Sequence, residues 1–207
     1  METSWKIPKI LFFAVFALLM TAVAHASPLK VKADKITGKV EMQAGAAAGW
    51  KTVANGDSIP IGASVRTGPG ASCMLKWAGG HVVKVGPLSN VKVVDADKSP
   101  TGKESSTLAL SNGKVMAHAR KLNTGDSTFN VKTPTAVAGV RGTDVLVETS
   151  EEGGDKIGVV DGSVEVETGG ETVNVDEGTM VEVDESGDIS EPEIIPDDVM
   201  QEVAEDF

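Results

Sequence analysis

Valine dominates the apolar residues beyond position 26, where 26 valines stand against 7 leucines and 7 isoleucines. A side chain branched at Cβ loses rotamers in a helix and packs well on a pleated sheet. The valines alternate with polar residues in short runs bounded by Gly, Pro, Asn or Asp, which predicts strands with one buried face. We therefore expect an all-β fold. The pattern fits a single β-sandwich or a β-roll-like module of short, largely antiparallel strands.

Thirteen such runs are predicted as strands. They are Leu29–Ala33, Ile36–Met42, Ser64–Thr67, Cys73–Trp77, His81–Val85, Val91–Val94, Lys114–Arg120, Thr128–Lys132, Asp144–Glu148, Lys156–Val160, Ser163–Glu167, Glu171–Val175 and Thr179–Val183. Gly79-Gly80, Asp161-Gly162 and Gly169-Gly170 predict two-residue hairpin turns, because glycine reaches positive φ without a Cβ clash.

The first 26 residues have the pattern of a signal peptide. A short basic start precedes the apolar run 10–23, which is shorter than the about 20 residues of a membrane span. Ala24-His25-Ala26 supplies the small residues of an export cleavage site. We expect Ser27 to begin the mature protein, with no membrane span after cleavage and a periplasmic or secreted location.

The charge is divided unevenly along the mature chain. Residues 27–150 carry 16 basic and 9 acidic side chains, whereas residues 151–207 carry 20 acidic side chains and only Lys156 as a base. An acidic segment of this size repels a phosphate backbone, which argues against nucleic acid as a partner. It favours solubility, cations or a basic protein surface.

The C-terminal residues are predicted to leave the β body, which we place at residues 27–183. Residues 184–195 indicate an exposed acidic linker, and Pro196 suits the first position of a short acidic helix. Val199, Val203 and Phe207 then fall on one face of that helix. This stripe is predicted to dock either on the protein's own sheet or on a partner.

A series of short motifs runs from Gly38 to Val147. They are Gly38-Lys39-Val40, Trp50, Gly56-Asp57-Ser58-Ile59, Gly62, Val65-Arg66-Thr67-Gly68, Gly80, Leu110-Ser111-Asn112-Gly113-Lys114-Val115, Phe129-Asn130-Val131-Lys132-Thr133-Pro134-Thr135-Ala136-Val137 and Arg141-Gly142-Thr143-Asp144. Together they resemble the FecR domain, the periplasmic module of ferric-citrate-type regulators that relay transport signals toward sigma factors. The hairpins of residues 155–183 would extend this domain. The resemblance implies partner binding and brings no active-site chemistry.

The most specific part of the resemblance contains Thr133, Pro134, Thr135, Arg141, Gly142 and Thr143. Pro134 holds Thr133 in an extended conformation, so Val137–Val140 is predicted to pair as a strand beyond the bend. Gly142 is expected to allow a close backbone approach. Arg141 is expected either to clamp carbonyl or carboxylate groups of the fold or to contact a ligand.

The sequence offers no motif for catalysis. His81 and His118 lack a Cys or second His at metal-ligand spacing and are predicted to be strand-surface residues. Neither a Gly-x-Ser-x-Gly elbow nor a phosphate-binding glycine loop is found in its structural context. Cys73 is predicted to be a half-buried thiol that behaves as a small hydrophobic residue, and Trp50, Trp77 and Phe129 to be core residues. We predict no catalytic residue, metal or cofactor.

The predicted function is therefore a non-enzymatic, exported module that binds a protein or cell-envelope component in signalling or surface assembly. Only nine residues precede the apolar run, which leaves no room for the sigma-binding segment of the regulators it resembles. Two alternatives stay open: a membrane-anchored regulator that retains residues 10–23, and a hydrolase with a dispersed site. No motif names the partner, the oligomeric state or a role in iron signalling.

Overall fold

The computed structural model describes residues 27–121, 127–150 and 154–206, which form eighteen strands and one helix. The first nine strands are β1 (Ser27–Pro28), β2 (Val31–Thr37), β3 (Val40–Gln43), β4 (Lys51–Thr52), β5 (Ser58–Ile59), β6 (Ser64–Thr67), β7 (Ser72–Trp77), β8 (Val82–Val85) and β9 (Asn90–Lys98). The others are β10 (Glu104–Ala119), β11 (Thr128–Lys132), β12 (Val137–Val140), β13 (Thr143–Thr149), β14 (Asp155–Asp161), β15 (Ser163–Glu167), β16 (Thr172–Asp176), β17 (Thr179–Val183) and β18 (Glu193–Ile194). Helix α1 spans Asp197–Asp206. The predicted all-β fold is confirmed.

The strand pairings fall into two sheets that share β10. The first sheet has the order β4-β3-β6-β9-β10-β11-β12-β15-β16, and β1 also pairs with β9. The second has the order β5-β2-β7-β8-β10-β13-β14-β17-β18. All pairs are antiparallel except β10 with β11. Since both orders broadly follow the chain, neighbouring segments of sequence stay neighbours along the body.

Strand β10 belongs to both sheets. Its first half pairs with β9, and its second half, from Gly113, pairs with β13. Gly113 has a φ of 94°, and a Cβ there would lie 2.6 Å from the Cα of Ser89. Glycine is therefore required where the strand passes from one sheet to the other.

The core lies between the two sheets and is built by the inward residue of each alternating pair. Leu108 and Val131 of the first sheet and Leu75, Val147 and Ile157 of the second are buried in one apolar cluster. Their neighbours in sequence face outward and are mostly polar, as period-two alternation predicts. The valine pattern therefore identified the buried face correctly.

The turn predictions had mixed outcomes. Gly79-Gly80 does connect β7 with its partner β8, but the loop spans four residues, 78–81, and Gly80 has a φ of 95°. Asp161-Gly162 is not a hairpin turn, because it links β14 and β15, which lie in different sheets. Gly169-Gly170 lies in a four-residue loop between β15 and β16, without positive φ. The predicted strand Ile36–Met42 is interrupted at Gly38, whose φ is 70°.

The segment after β17 is less exposed than the predicted linker 184–195. β18 pairs with β17, and Ile195 is buried. Gly158 leaves room for this side chain, because a Cβ there would lie 3.2 Å from Ile195 Cδ1. Helix α1 follows Pro196, as predicted. Within the described residues, no helix is long and apolar enough to cross a membrane.

Candidate functional site

The residues of the Thr-Pro-Thr and Arg-Gly-Thr motifs do not form one site. Strand β12 separates Thr133, Pro134 and Thr135 from the segment 141–143. A strand of four residues is about 13 Å long, so the two parts lie at opposite ends of the body. Each part therefore has its own surroundings.

Thr133 and Thr135 hold a buried carboxylate. Both hydroxyls donate to Oδ2 of Asp155, the first residue of β14, which is only 1% exposed. Thr133 also closes the bend, since its Oγ1 accepts the Ala136 N–H at 2.9 Å. A buried carboxylate is costly without donors, so this arrangement fixes the bend against the end of β14. The sequence analysis missed Asp155, although a polar residue at an inward strand position is a signal for such a role.

Two residues of the Arg141-Gly142-Thr143 turn, Gly142 and Thr143, have structural roles. Thr143 is buried, and its hydroxyl donates to Ser163 O at 3.1 Å. Gly142 has a φ of 66°, and a Cβ there would lie 2.9 Å from Lys121 Cβ. Arg141 is exposed and makes no side-chain hydrogen bond or ion pair with any described residue. The clamp predicted for Arg141 therefore has no partner among the described residues, and the role of Arg141 stays a prediction.

We expect Gly142→Val to lower the free energy of unfolding by about 1–3 kcal/mol, because a β-branched residue is strained at this φ. Urea denaturation measures the change. Gly169→Val is the matched control, since Gly169 has no positive φ and open space around it. Equal stability of the two variants would show that Gly142 is merely permissive.

An acidic cleft of about 560 Å³ lies beside Asp155. Its walls come from the ends of β13, β14 and β17 and from the turn that follows β17. Among the described residues, the carboxylates lining it are Glu148, Asp155, Glu182, Asp184, Glu185 and Asp188, and Lys156 is the one lining base. The cleft therefore collects five of the 20 carboxylates of residues 151–207, together with Glu148.

Two contacts organise the charges of this acidic cleft. Lys156 pairs with Glu182 at 2.7 Å, and this hydrogen-bonded contact raises the pKa of the lysine. The backbone N–H groups of Asp188 and Ser186 donate to Asp184 Oδ1 and lower the pKa of that carboxyl. The described residues contain no group of three or more His, Cys, Asp or Glu side chains placed to hold a metal ion. The cleft is thus an anionic surface, and its lining base Lys156 is already paired with Glu182.

Part of the β body matches a known protein family. The family model for "FecR protein" matches residues 63–165. Residues 63–165 are a FecR domain. The predicted resemblance is confirmed, although the match begins after the motifs of residues 38–62 and ends 18 residues beyond Val147. No curated protein matches the chain in sequence.

Solved structures share the fold. Two crystal structures of a candidate anti-sigma factor from Parabacteroides distasonis, at 2.50 and 1.65 Å resolution, each have a TM-score of 0.52 and 16% identity to this chain. Each alignment covers 63% of this chain and 59% of the other, so the chain spans about three fifths of those proteins. At this identity the likeness shows the fold alone. With the family match, it makes this a domain of the kind found in signalling regulators.

The FecR domain also contains a buried aromatic cluster, formed by Trp77, His81 and Phe129. Phe129 stacks on His81 with ring centroids 4.8 Å apart and meets Trp77 edge-on at 5.4 Å. His81 is 2% exposed, so its predicted place on the surface was wrong. Trp77 and Phe129 are core residues, but Trp50 is only half-buried, beneath the Arg66 guanidinium at 4.1 Å.

His81 lies among charged groups without a hydrogen-bond partner for either ring nitrogen in the described residues. Burial lowers the pKa of His81 below its ordinary value of 6.5, and Arg120 and His118 act in the same direction, against the nearby Glu104. The imidazole is therefore neutral in the folded domain at neutral pH. Glu104 is itself buried and accepts from Lys98 at 2.9 Å.

We expect the domain to lose stability as the pH falls below about 6.5, because the unfolded chain then binds a proton that buried His81 does not. His81→Phe, which keeps a ring against Phe129, should flatten the stability profile between about pH 7 and 5. Chemical denaturation at a series of pH values measures this slope. Lys84→Gln, a substitution in the adjoining strand β8, should leave the slope unchanged. A His81→Phe profile parallel to the wild type would contradict the prediction.

Cys73 is an inert thiol of the core. Burial raises its pKa to about 12, so little thiolate forms at neutral pH. A cysteine nucleophile in a dispersed hydrolase site would need surroundings that lower the pKa of its thiol. His118, the second candidate for such a site, lies with its Nδ1 2.5 Å from Asp144 Oδ1 on the outer face of the second sheet.

The C-terminal stripe contacts the protein's own sheet. Val199 and Val203 pack with Met116 of β10 and Leu146 of β13 on the outer face of the second sheet. Val203 is 2% exposed. Phe207, the third residue of the predicted stripe, lies outside the described residues, as does the predicted signal peptide. Helix α1 therefore covers an apolar patch that the outward positions of β10 and β13 would otherwise expose.

Proposed function

We propose that this protein is a non-enzymatic, exported binding module, in which a FecR domain engages a protein or envelope component in signalling or surface assembly. The observation that carries the proposal is the family match over residues 63–165, since FecR domains belong to signalling regulators.

The basic and acidic segments of the sequence are also separated in the fold. The sheet orders broadly follow the chain, so the basic segment up to β9 forms one end and the acidic strands from β14 form the other. Complementary charge steers association and selects partners. A partner with a basic surface is expected at the acidic end, beside the cleft.

Affinity capture from native envelopes tests this function. The wild-type protein should enrich a specific partner, and higher salt should weaken the capture because exposed charges are screened. Glu148→Gln, Glu185→Gln and Asp188→Asn together should reduce it. Lys30→Gln, Lys32→Gln and Lys51→Gln, three changes at the basic end, should not. Equal capture by both variants would contradict the proposed surface, and turnover of a captured molecule would contradict the non-enzymatic role.

Export is the second part of the proposal. The small residues of Ala24-His25-Ala26 support cleavage before Ser27. N-terminal sequencing of protein from the periplasm or medium should give Ser27 as the first residue. Chains beginning at Met1 in the membrane fraction would favour the membrane-anchored regulator instead.

A further inference from the structure

Strand β16 leaves one end of the first sheet open. The other sheet ends are covered by two-residue strands: β4 covers β3, β5 covers β2, and β18 covers β17. Within the described residues β16 pairs only with β15, on one side, over five residues. It lies beyond the matched FecR segment, which ends at residue 165.

The hairpin geometry shows which backbone groups are available on β16. Thr168 N–H donates to Glu171 O at 3.0 Å, which fixes this pair as hydrogen-bonded. In an antiparallel ladder, hydrogen-bonded and non-hydrogen-bonded pairs alternate. The N–H groups of Thr172, Asn174 and Asp176 therefore point away from β15, as do the C=O groups of Thr172 and Asn174, and an added strand would bind them there. The Asp176 C=O already accepts from the Thr179 hydroxyl at 2.7 Å.

The side chains beside this edge have two characters. Val173 is half-buried and Val175 buried, both on the core side, whereas the outward positions of β16 are exposed. Residues 163–177 carry five acidic side chains and no Lys or Arg. These are Glu165, Glu167, Glu171, Asp176 and Glu177, all exposed. The side chains of an added strand would therefore alternate between apolar neighbours on the core side and acidic neighbours on the exposed side.

We infer that the β16 edge binds an extended segment of another protein, about five residues long, in which apolar residues alternate with Lys or Arg. The inference rests on the proposed binding function and names its partner chemistry. Apolar residues of the segment extend the row of Val173 and Val175, and the basic residues face the carboxylates of β15 and β16. A second copy of β16 is disfavoured because it would bring the same carboxylates together.

A synthetic peptide, acetyl-VKVKVKV-amide, tests the inference against acetyl-VEVEVEV-amide by calorimetry and amide hydrogen exchange. The lysine peptide should bind the full protein and slow exchange at Thr172, Asn174 and Asp176. Its affinity should fall about tenfold when salt is raised from low to high concentration. The glutamate peptide should not bind. Binding with protection elsewhere in the chain, or no binding, would overturn the inference.

Two variants sharpen the test. Asn174→Pro removes an outward N–H without breaking a ladder bond to β15, so it should abolish peptide binding with little change in melting temperature. Asn174→Thr keeps the N–H and should bind like the wild type. Should Asn174→Pro fail to fold, Glu165→Lys with Asp176→Lys provides a separate test, because that variant should prefer the glutamate peptide. Unchanged binding by Asn174→Pro, or unchanged preference after charge reversal, would contradict the inference.

The edge inference and the proposed function fail in different ways. If wild type and Asn174→Pro capture the same envelope partner equally, the binding function stands and the edge inference fails. If neither captures a partner, the proposed function fails. Concentration-dependent self-association in sedimentation, lost in Asn174→Pro, would show that a second copy occupies the edge and would overturn the assigned partner.

Discussion

Replacing Thr133 and Thr135 together by valine should lower the free energy of unfolding by about 3–5 kcal/mol at neutral pH. Both hydroxyls donate to the Asp155 carboxylate, which is 1% exposed. Valine keeps the branched shape of threonine and removes the donor, so the loss reports mainly on the buried charge. Urea denaturation measures it, and Thr179→Val, whose hydroxyl donates to an exposed backbone oxygen, should cost less than about 1 kcal/mol.

The source of this loss can be tested separately. Adding Asp155→Leu to the double valine variant removes the unpartnered carboxylate and should restore part of the stability, because contacting residues are energetically coupled. A triple variant no more stable than the double would show that the carboxylate is not responsible. The threonines would then act only through the bend at Ala136.

Local patterns predicted most of the strands because each strand buries one face. Ser64–Thr67, Thr128–Lys132, Ser163–Glu167 and Thr179–Val183 have the predicted bounds, and most others differ by only a few residues. The alternation of side chains is a local property, so it can be recognised without knowing the neighbouring strands. Helix α1 was predictable for the same reason, from Pro196 and the spacing of the valines.

Pairing between distant strands was not predictable from the same patterns. Asp161-Gly162 looks like a hairpin turn, yet it carries the chain between sheets because β14 pairs with β13 and β17. β10 was predicted only in its second half, since small and polar residues weaken the alternation from Glu104 onward. Which strands become neighbours depends on the two sheets as a whole.

The candidate site shows the same limit. Thr133 and Arg141 are eight positions apart and lie in one family motif, but β12 places them at opposite ends of the body. Asp155 was missed because its partners, Thr133 and Thr135, are 22 and 20 positions away in sequence. A polar residue at a buried strand position was the available signal, and it applies equally to His81. The charge division could be predicted because the sheet orders preserve the order of the chain.

Deleting residues 196–207 should lower the free energy of unfolding by about 2–4 kcal/mol, because it exposes Met116 and Leu146 and removes buried Val203 and half-buried Val199. Thermal and urea denaturation of the truncated protein measure the loss. The truncated protein should remain folded and β-rich by circular dichroism, since the main core lies between the sheets and includes no residue of α1.

A single substitution separates the apolar contact from the loss of the acidic tail. Val203→Asp should reproduce much of the truncation's effect, because it places a charge against Met116 and Leu146. Gln201→Asp adds the same charge at an exposed position of α1 and should change stability by less than about 0.5 kcal/mol. If truncation leaves stability unchanged but abolishes partner capture, the valine stripe serves a partner, and its contact with the second sheet contributes little to folding.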